Sequence, residues 1–296
     1  MQAGLTNVTL AVEDILQAHL RYAPRSFDYV IVHGVYAWVP DAVREACMDL
    51  VGQVLAEDGV AMISYNAMPG GHVRLIMREM LLNQLGEVTD FEERIAAART
   101  FLEDYARPVE GDEPLATVLR QQAASMLNRP DSVLFHDELG DCYHPQQLGE
   151  VAAAARARGL RLLTDAGRNR HLDGFLPDGA AVPADPDAAV LRAAIARDYD
   201  NLRYFRHSLL VREEARIDRT IDAARIADCW LTTRLQRQAD GSFVLSGDTI
   251  EIADEELAAA LERAAARAPE RVPLAEIAQT AEQLRVVLQL FAEWYV

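Results

Sequence analysis

Residues 27–71 constrain this chain more than any other stretch. They read FDYVIVH, GVYAWVP, DAVREACMDLVGQVLAEDG, VAMISYN and AMPGG in succession. FDYVIVH and VAMISYN are short apolar runs rich in β-formers and bounded by turn residues, which predicts buried strands over 27–33 and 60–66. Pro40 and Asp41 open a helix over 41–59, with Val43, Cys47, Leu50, Val51, Val54 and Leu55 as its apolar stripe and Gly59 as its stop. Strand, helix and strand with a short return make a βαβ unit, so the sheet is expected to be largely parallel.

In an open parallel sheet, ligands collect at the carboxyl ends of the strands. Both predicted strands end there in polar and aromatic groups. One delivers His33, Gly34, Tyr36 and Trp38, and the other Ser64, Tyr65 and Asn66 before the breaker Pro69-Gly70-Gly71. Purely structural roles stand beside this reading. Gly34 can make a tight turn, Tyr36 and Trp38 can lid the next helix, and Asn66 can be a turn residue.

Elsewhere the chain reads mostly as helix. NVTLAV (7–12) is a short strand candidate and EDILQAHL (13–20) a short helix or loop. From 72 to about 175 the apolar spacing is helical, and 164–189 carries the Gly, Pro and Asp of a linker. Helices are expected again over 190–225, with RYFRHSLLVRE as a solvated helix face that buries Tyr204, Phe205, Leu209 and Leu210. GSFVLSG (241–247) is a short strand, and two amphipathic helices follow over 254–267 and 273–294.

The 296 residues carry a formal net charge of −17. That balance argues against a nucleic-acid partner, which needs clustered cations. No run approaches the roughly 20 apolar residues of a membrane span, and the first residues lack the pattern of a signal peptide, so a soluble cytoplasmic protein is expected. The chain has no Lys, which excludes Schiff-base chemistry. Cys47, Cys142 and Cys229 lie too far apart for a CxxC pair, and HDELGDCYH (136–144) matches no zinc spacing, so no metal site is expected.

FDYVIVHGVYAWVP, the following VRE and GVAMISYNAMPGGHVR resemble the second half of the class I S-adenosylmethionine-dependent methyltransferase domain. The resemblance is narrowest to bacterial proteins that carry a methyltransferase regulatory domain, including rickettsial-type protein lysine methyltransferases. It continues through residues 134–166 and 198–213, and more loosely through 216–296. It implies an α/β plus α architecture in three parts. Residues 1–74 would hold the later strands of a Rossmann-like sheet, 75–215 a mostly helical regulatory domain, and 216–296 a small winged-helix-like domain. It implies S-adenosyl-L-methionine as cofactor and a methyl acceptor such as protein lysine as partner. Asp14 would lie near the adenine amine, His33 and Gly34 where donor and acceptor meet, and Tyr36 and Trp38 around that pocket. Tyr65 and Asn66 would face the acceptor. The resemblance thus gives His33, Tyr36, Tyr65 and Asn66 catalytic roles, and Asp14, His33, Gly34 and Trp38 cofactor contacts. The family's Gly-rich loop has no counterpart in this sequence, where Gly4 alone precedes Gly34. A truncated methyltransferase and a remnant acting with a partner, through regulation or protein interaction, are both compatible with that.

Overall fold

A computed structural model describes residues 6–111, 113–167, 171–176, 179–245 and 248–292. Contacts divide the chain into two units, one of residues 1–163 and 194–216, the other of 164–193 and 217–296.

The first unit opens with a single helical turn, α1 (Ile15–Ala18). The strand expected over 7–12 is absent, and residues 8–14 run as non-helical, non-strand chain. β1 (Phe27–Val32) follows, then α2 (Asp41–Val54). α2 passes without a loop into β2 (Leu55–Asn66), which starts five residues earlier than expected. β1 and β2 pair in parallel, with Val30 beside Ala61 and Val32 beside Ile63. Helices α3 (Gly71–Leu85), α4 (Phe91–Tyr105), α5 (Pro114–Leu127) and α6 (Asp131–Leu139) then form a bundle of their own around Met77, Leu81, Leu102, Met126 and Leu134. Gly70 at the start of α3 is fixed by close approach. A Cβ there would stand 2.2 Å from the carbonyl oxygen of Leu202.

α7 (Leu148–Arg156) leads to β3 (Leu160–Asp165), α8 (Pro186–Asp200) and β4 (Phe205–Arg212). β3 and α8 are each divided between the two units. Three expectations fail here. Residues 160–165 and 205–212 are strands, and the sheet order β1-β2-β4-β3 puts β4 in the interior. β4 runs antiparallel to β2, so the sheet is mixed. Tyr204, expected to be buried, is exposed, whereas Arg206 is 1% exposed. One face of the sheet packs Ala61, Ile63, Tyr65 and Leu210 against Met48 and Val51 of α2 and Val151 and Ala155 of α7.

The second unit holds β5 (Trp230–Leu231), β6 (Gln236–Arg237), β7 (Phe243–Leu245), β8 (Asp248–Ile250), α9 (Glu255–Ala266), β9 (Val272–Pro273) and α10 (Ala281–Ala292). Its core joins Phe243, Leu257, Leu261, Val272 and Val287. The three-stranded antiparallel meander β6-β7-β8 precedes the two helices in sequence.

Candidate functional site

Strand register assembles the site. Val32 pairs with Ile63, so His33, next in line, stands beside Ser64, and Ser64 pairs with His207 of β4. These three residues form a row across one face at the carboxyl ends of β1 and β2. Ser64 is fully buried, and its Oγ accepts from the Gly34 N–H at 3.0 Å. The same oxygen lies 2.8 Å from His33 Nδ1. Gly34 has φ +70°, the left-handed turn that glycine takes without strain. The rings of His33 and His207 stack with centroids 5.9 Å apart, and Phe205 meets His207 edge-on at 4.9 Å.

A hydroxyl has one proton and two lone pairs. Gly34 N–H uses one lone pair, which leaves Ser64 Oγ a proton to give to His33 Nδ1 or a second lone pair to accept from it. Either way the bond orients the imidazole at the strand edge.

Asn66 ends β2 on the same face as Ser64, two residues on. Its carbonyl accepts from the Gln146 N–H at 2.8 Å. The side chain is 7% exposed, and Oδ1 is buried without a hydrogen-bond partner. An unsatisfied buried acceptor costs about 1–3 kcal/mol, and such groups cluster where function needs them.

The remaining expected site residues go elsewhere. Tyr65 alternates to the helix-covered face, where its hydroxyl bonds Ser208 Oγ at 2.9 Å. Tyr36 lies on that face too, its ring 6.1 Å from that of Tyr65. Burial pushes the Tyr36 phenol up to about 12, against the pull of Arg44 and Arg158. Trp38 packs on Tyr143 at 4.9 Å and on His136 at 5.2 Å. The Arg74 guanidinium already lies 5.2 Å from the Trp38 ring centroid, so a cation from this chain takes up the ring's favoured contact. Asp14 caps α1 by accepting from Leu16 N–H at 3.0 Å. Within 136–144, Asp137 and Glu138 pair with Arg74 and Arg129. Glu138 is wholly buried by these contacts, and burial raises the nearby Tyr143 phenol to about 12.

The structure thus brings His33 and Gly34 together with Ser64, His207 and Phe205, and sets Asn66 one row further. It does not bring Tyr36, Tyr65, Trp38 or Asp14 to that face. His207 and Phe205 escaped the sequence reading because their segment reads there as helix. Its signal was alternation, with Phe205, His207 and Leu209 on one side and Arg206, Ser208 and Leu210 on the other.

S-adenosylmethionine does not fit these residues as a set. His33 and Gly34 are exposed at the strand edge, but the carboxylate of Asp14 holds a helix end and the Trp38 ring holds Arg74. What remains is one wall of a pocket for such a molecule.

Residues 130–212 match the family profile described as a predicted methyltransferase regulatory domain. The fold is similar to that of PKMT2 from Rickettsia typhi. That structure in complex with AdoHcy gives a TM-score of 0.73 at 21% identity over 99% of this chain and 62% of the other. A second PKMT2 structure gives 0.72 at 19% identity, over 94% and 59%. An uncharacterized protein of Rickettsia prowazekii is 30% identical over 197 residues, which is 66% of this chain and 36% of that protein. Another from the same organism is 27% identical over 54% of this chain and 64% of its own length. The chain therefore spans between about a third and two thirds of these relatives.

Proposed function

We propose that the chain serves S-adenosylmethionine-dependent methyl transfer to an amine, with protein lysine as the acceptor class. The edge formed by His33, Gly34, Ser64 and Asn66 would be the wall against which the acceptor lies. The observation that carries this is Asn66 Oδ1, a buried acceptor with no partner beside the His33 row. An amine brings the N–H that Oδ1 lacks. Methyl transfer needs alignment of nitrogen, methyl and sulfur more than acid–base power, so a fixed acceptor oxygen is a useful contribution. The regulatory-domain match and the AdoHcy bound by the Rickettsia typhi neighbour support the same reading.

The test is transfer of labelled methyl from S-adenosylmethionine to lysine-containing basic peptides, with lysine-free peptides as control. Because the cofactor contacts are partial, transfer is expected only at cofactor concentrations well above micromolar. Asn66→Ala should lower it at least roughly tenfold, the loss of one well-placed hydrogen bond, without lowering the melting temperature. Equal labelling of lysine-free peptides would overturn the acceptor class.

A second reading is a regulatory or interaction module acting with a partner. The observation favouring it is the open face of β1, where Tyr29 is 78% and Ile31 69% exposed. No AdoHcy heat in a calorimetric titration, together with no label transfer by the folded chain, would put this reading first.

A further inference from the structure

We propose that the cleft between α2 and α7 binds the carboxylate of a small ligand with an aliphatic stem, apart from the His33 edge. The cleft measures about 640 Å³ and lies on the helix-covered face of the sheet. Three donors without full employment converge on it. Tyr36 is 3% exposed, and its hydroxyl makes no hydrogen bond among the described residues. Arg44 uses Nη2 on Asp41 and Nη1 on the Val39 carbonyl, which leaves its Nε–H. Arg158 uses Nε on Asp49 and Nη1 on the Ala154 carbonyl, which leaves Nη2. The Arg44 guanidinium carbon stands 6.0 Å from the Tyr36 ring centroid, and both guanidiniums pull the phenol pKa down against burial.

A hydroxyl and two partly free guanidinium edges suit an oxyanion. Charge decides which kind. Asp41 and Asp49 already neutralise the two arginines, and Glu45 and Glu150 also line the cleft. A second negative charge on the ligand would be repelled, so a monoanionic carboxylate is favoured over a phosphate dianion. The wall also carries Met48, Met68, Leu75 and Ala154, which suit an apolar stem. None of this depends on the methyltransferase reading.

The test is calorimetric or NMR titration of residues 1–296 with acetate, butyrate and hexanoate, with hexylamine and inorganic phosphate alongside. Hexanoate is expected to bind in the millimolar range usual for a ligand of this size. Affinity should rise roughly threefold to fourfold per added methylene. Tyr36→Phe should weaken hexanoate roughly fivefold, the worth of one hydrogen bond, and Arg158→Gln should weaken it at least as much. Tyr36→Phe removes a buried hydroxyl that lacks a partner, so its melting temperature should hold or rise, which separates lost binding from lost folding. The proposal is overturned by hexylamine or phosphate binding as tightly as hexanoate. It is equally overturned by hexanoate affinity unchanged in Tyr36→Phe, or by no hexanoate binding at all.

Discussion

Ser64 Oγ accepts from Gly34 N–H and bonds His33 Nδ1, and so holds the turn and the imidazole together. Removing the hydroxyl with Ser64→Ala leaves the Gly34 N–H without its acceptor. The expected loss of stability is about 1–3 kcal/mol, measured by urea denaturation. The same variant should release the ring. Long-range ¹H–¹⁵N spectra should show a single His33 tautomer in the parent, and a mixture in Ser64→Ala. A mixture already present in the parent would refute the tie between Ser64 and the ring. The two buried phenols give a prediction at high pH. Tyr36 and Tyr143 are both raised from 10.0 to about 12 by burial. A folded-state pKa above the unfolded one means the folded chain holds more protons between those values. Their contribution is therefore fully present below pH 10 and is lost as pH climbs toward 12. Alkaline denaturation should steepen across that window, and less so in Tyr36→Phe/Tyr143→Phe.

At the level of elements, β4 shows what was legible and what was not. The βαβ core from 27 to 66 could be read because its strands are apolar runs and its helix carries one apolar stripe. β4 hides the same information, since its covered face carries Arg206 and Ser208 where a sheet usually carries Val or Ile. Arg206 is tolerated there because Asp198 of α8 receives it bidentately, Nε to Oδ2 at 2.8 Å and Nη2 to Oδ1 at 2.7 Å. Arg203 Nε lies 2.8 Å from the same carboxylate. That pairing joins residues that the sequence presents merely as neighbours on a polar stretch, so no local pattern reveals it. Asp198→Ala leaves a buried guanidinium without its main partner and should cost about 3–5 kcal/mol in thermal or urea unfolding. The double variant Asp198→Leu/Arg206→Met should recover only part of that loss, because the buried Arg203 still loses its ion pair with the same carboxylate. The candidate site divides along the same line. His33, Gly34 and Asn66 were visible as strand ends, whereas His207 and Phe205 were lost with the strand. Tyr36 could not be placed because alternation is lost once Gly34 turns the chain, whereas Tyr65 lies within β2, where alternation from Ser64 puts it on the opposite face.

For the molecule as a whole, two opposed features govern behaviour in solution. β1 is the edge of its sheet, and Tyr29 and Ile31 put apolar surface on one side of it. Such an edge is a template for pairing between copies. Against it stands the net charge of −17, which keeps copies apart. The balance depends on salt, because the screening length falls from about 30 Å at 0.01 M to about 3 Å at 1 M. Repulsion between copies therefore fades with added salt, while the apolar attraction does not. Light scattering should show association that grows with concentration and rises with salt. Tyr29→Lys/Ile31→Glu places charge on the exposed face without touching the packed one, and should suppress that association at every salt concentration. Both positions are solvent-exposed, so the change in stability should stay within about 0.5 kcal/mol for each. Association that falls with added salt would point to paired charges as its cause, and association unaffected by the double variant would remove β1 as its seat.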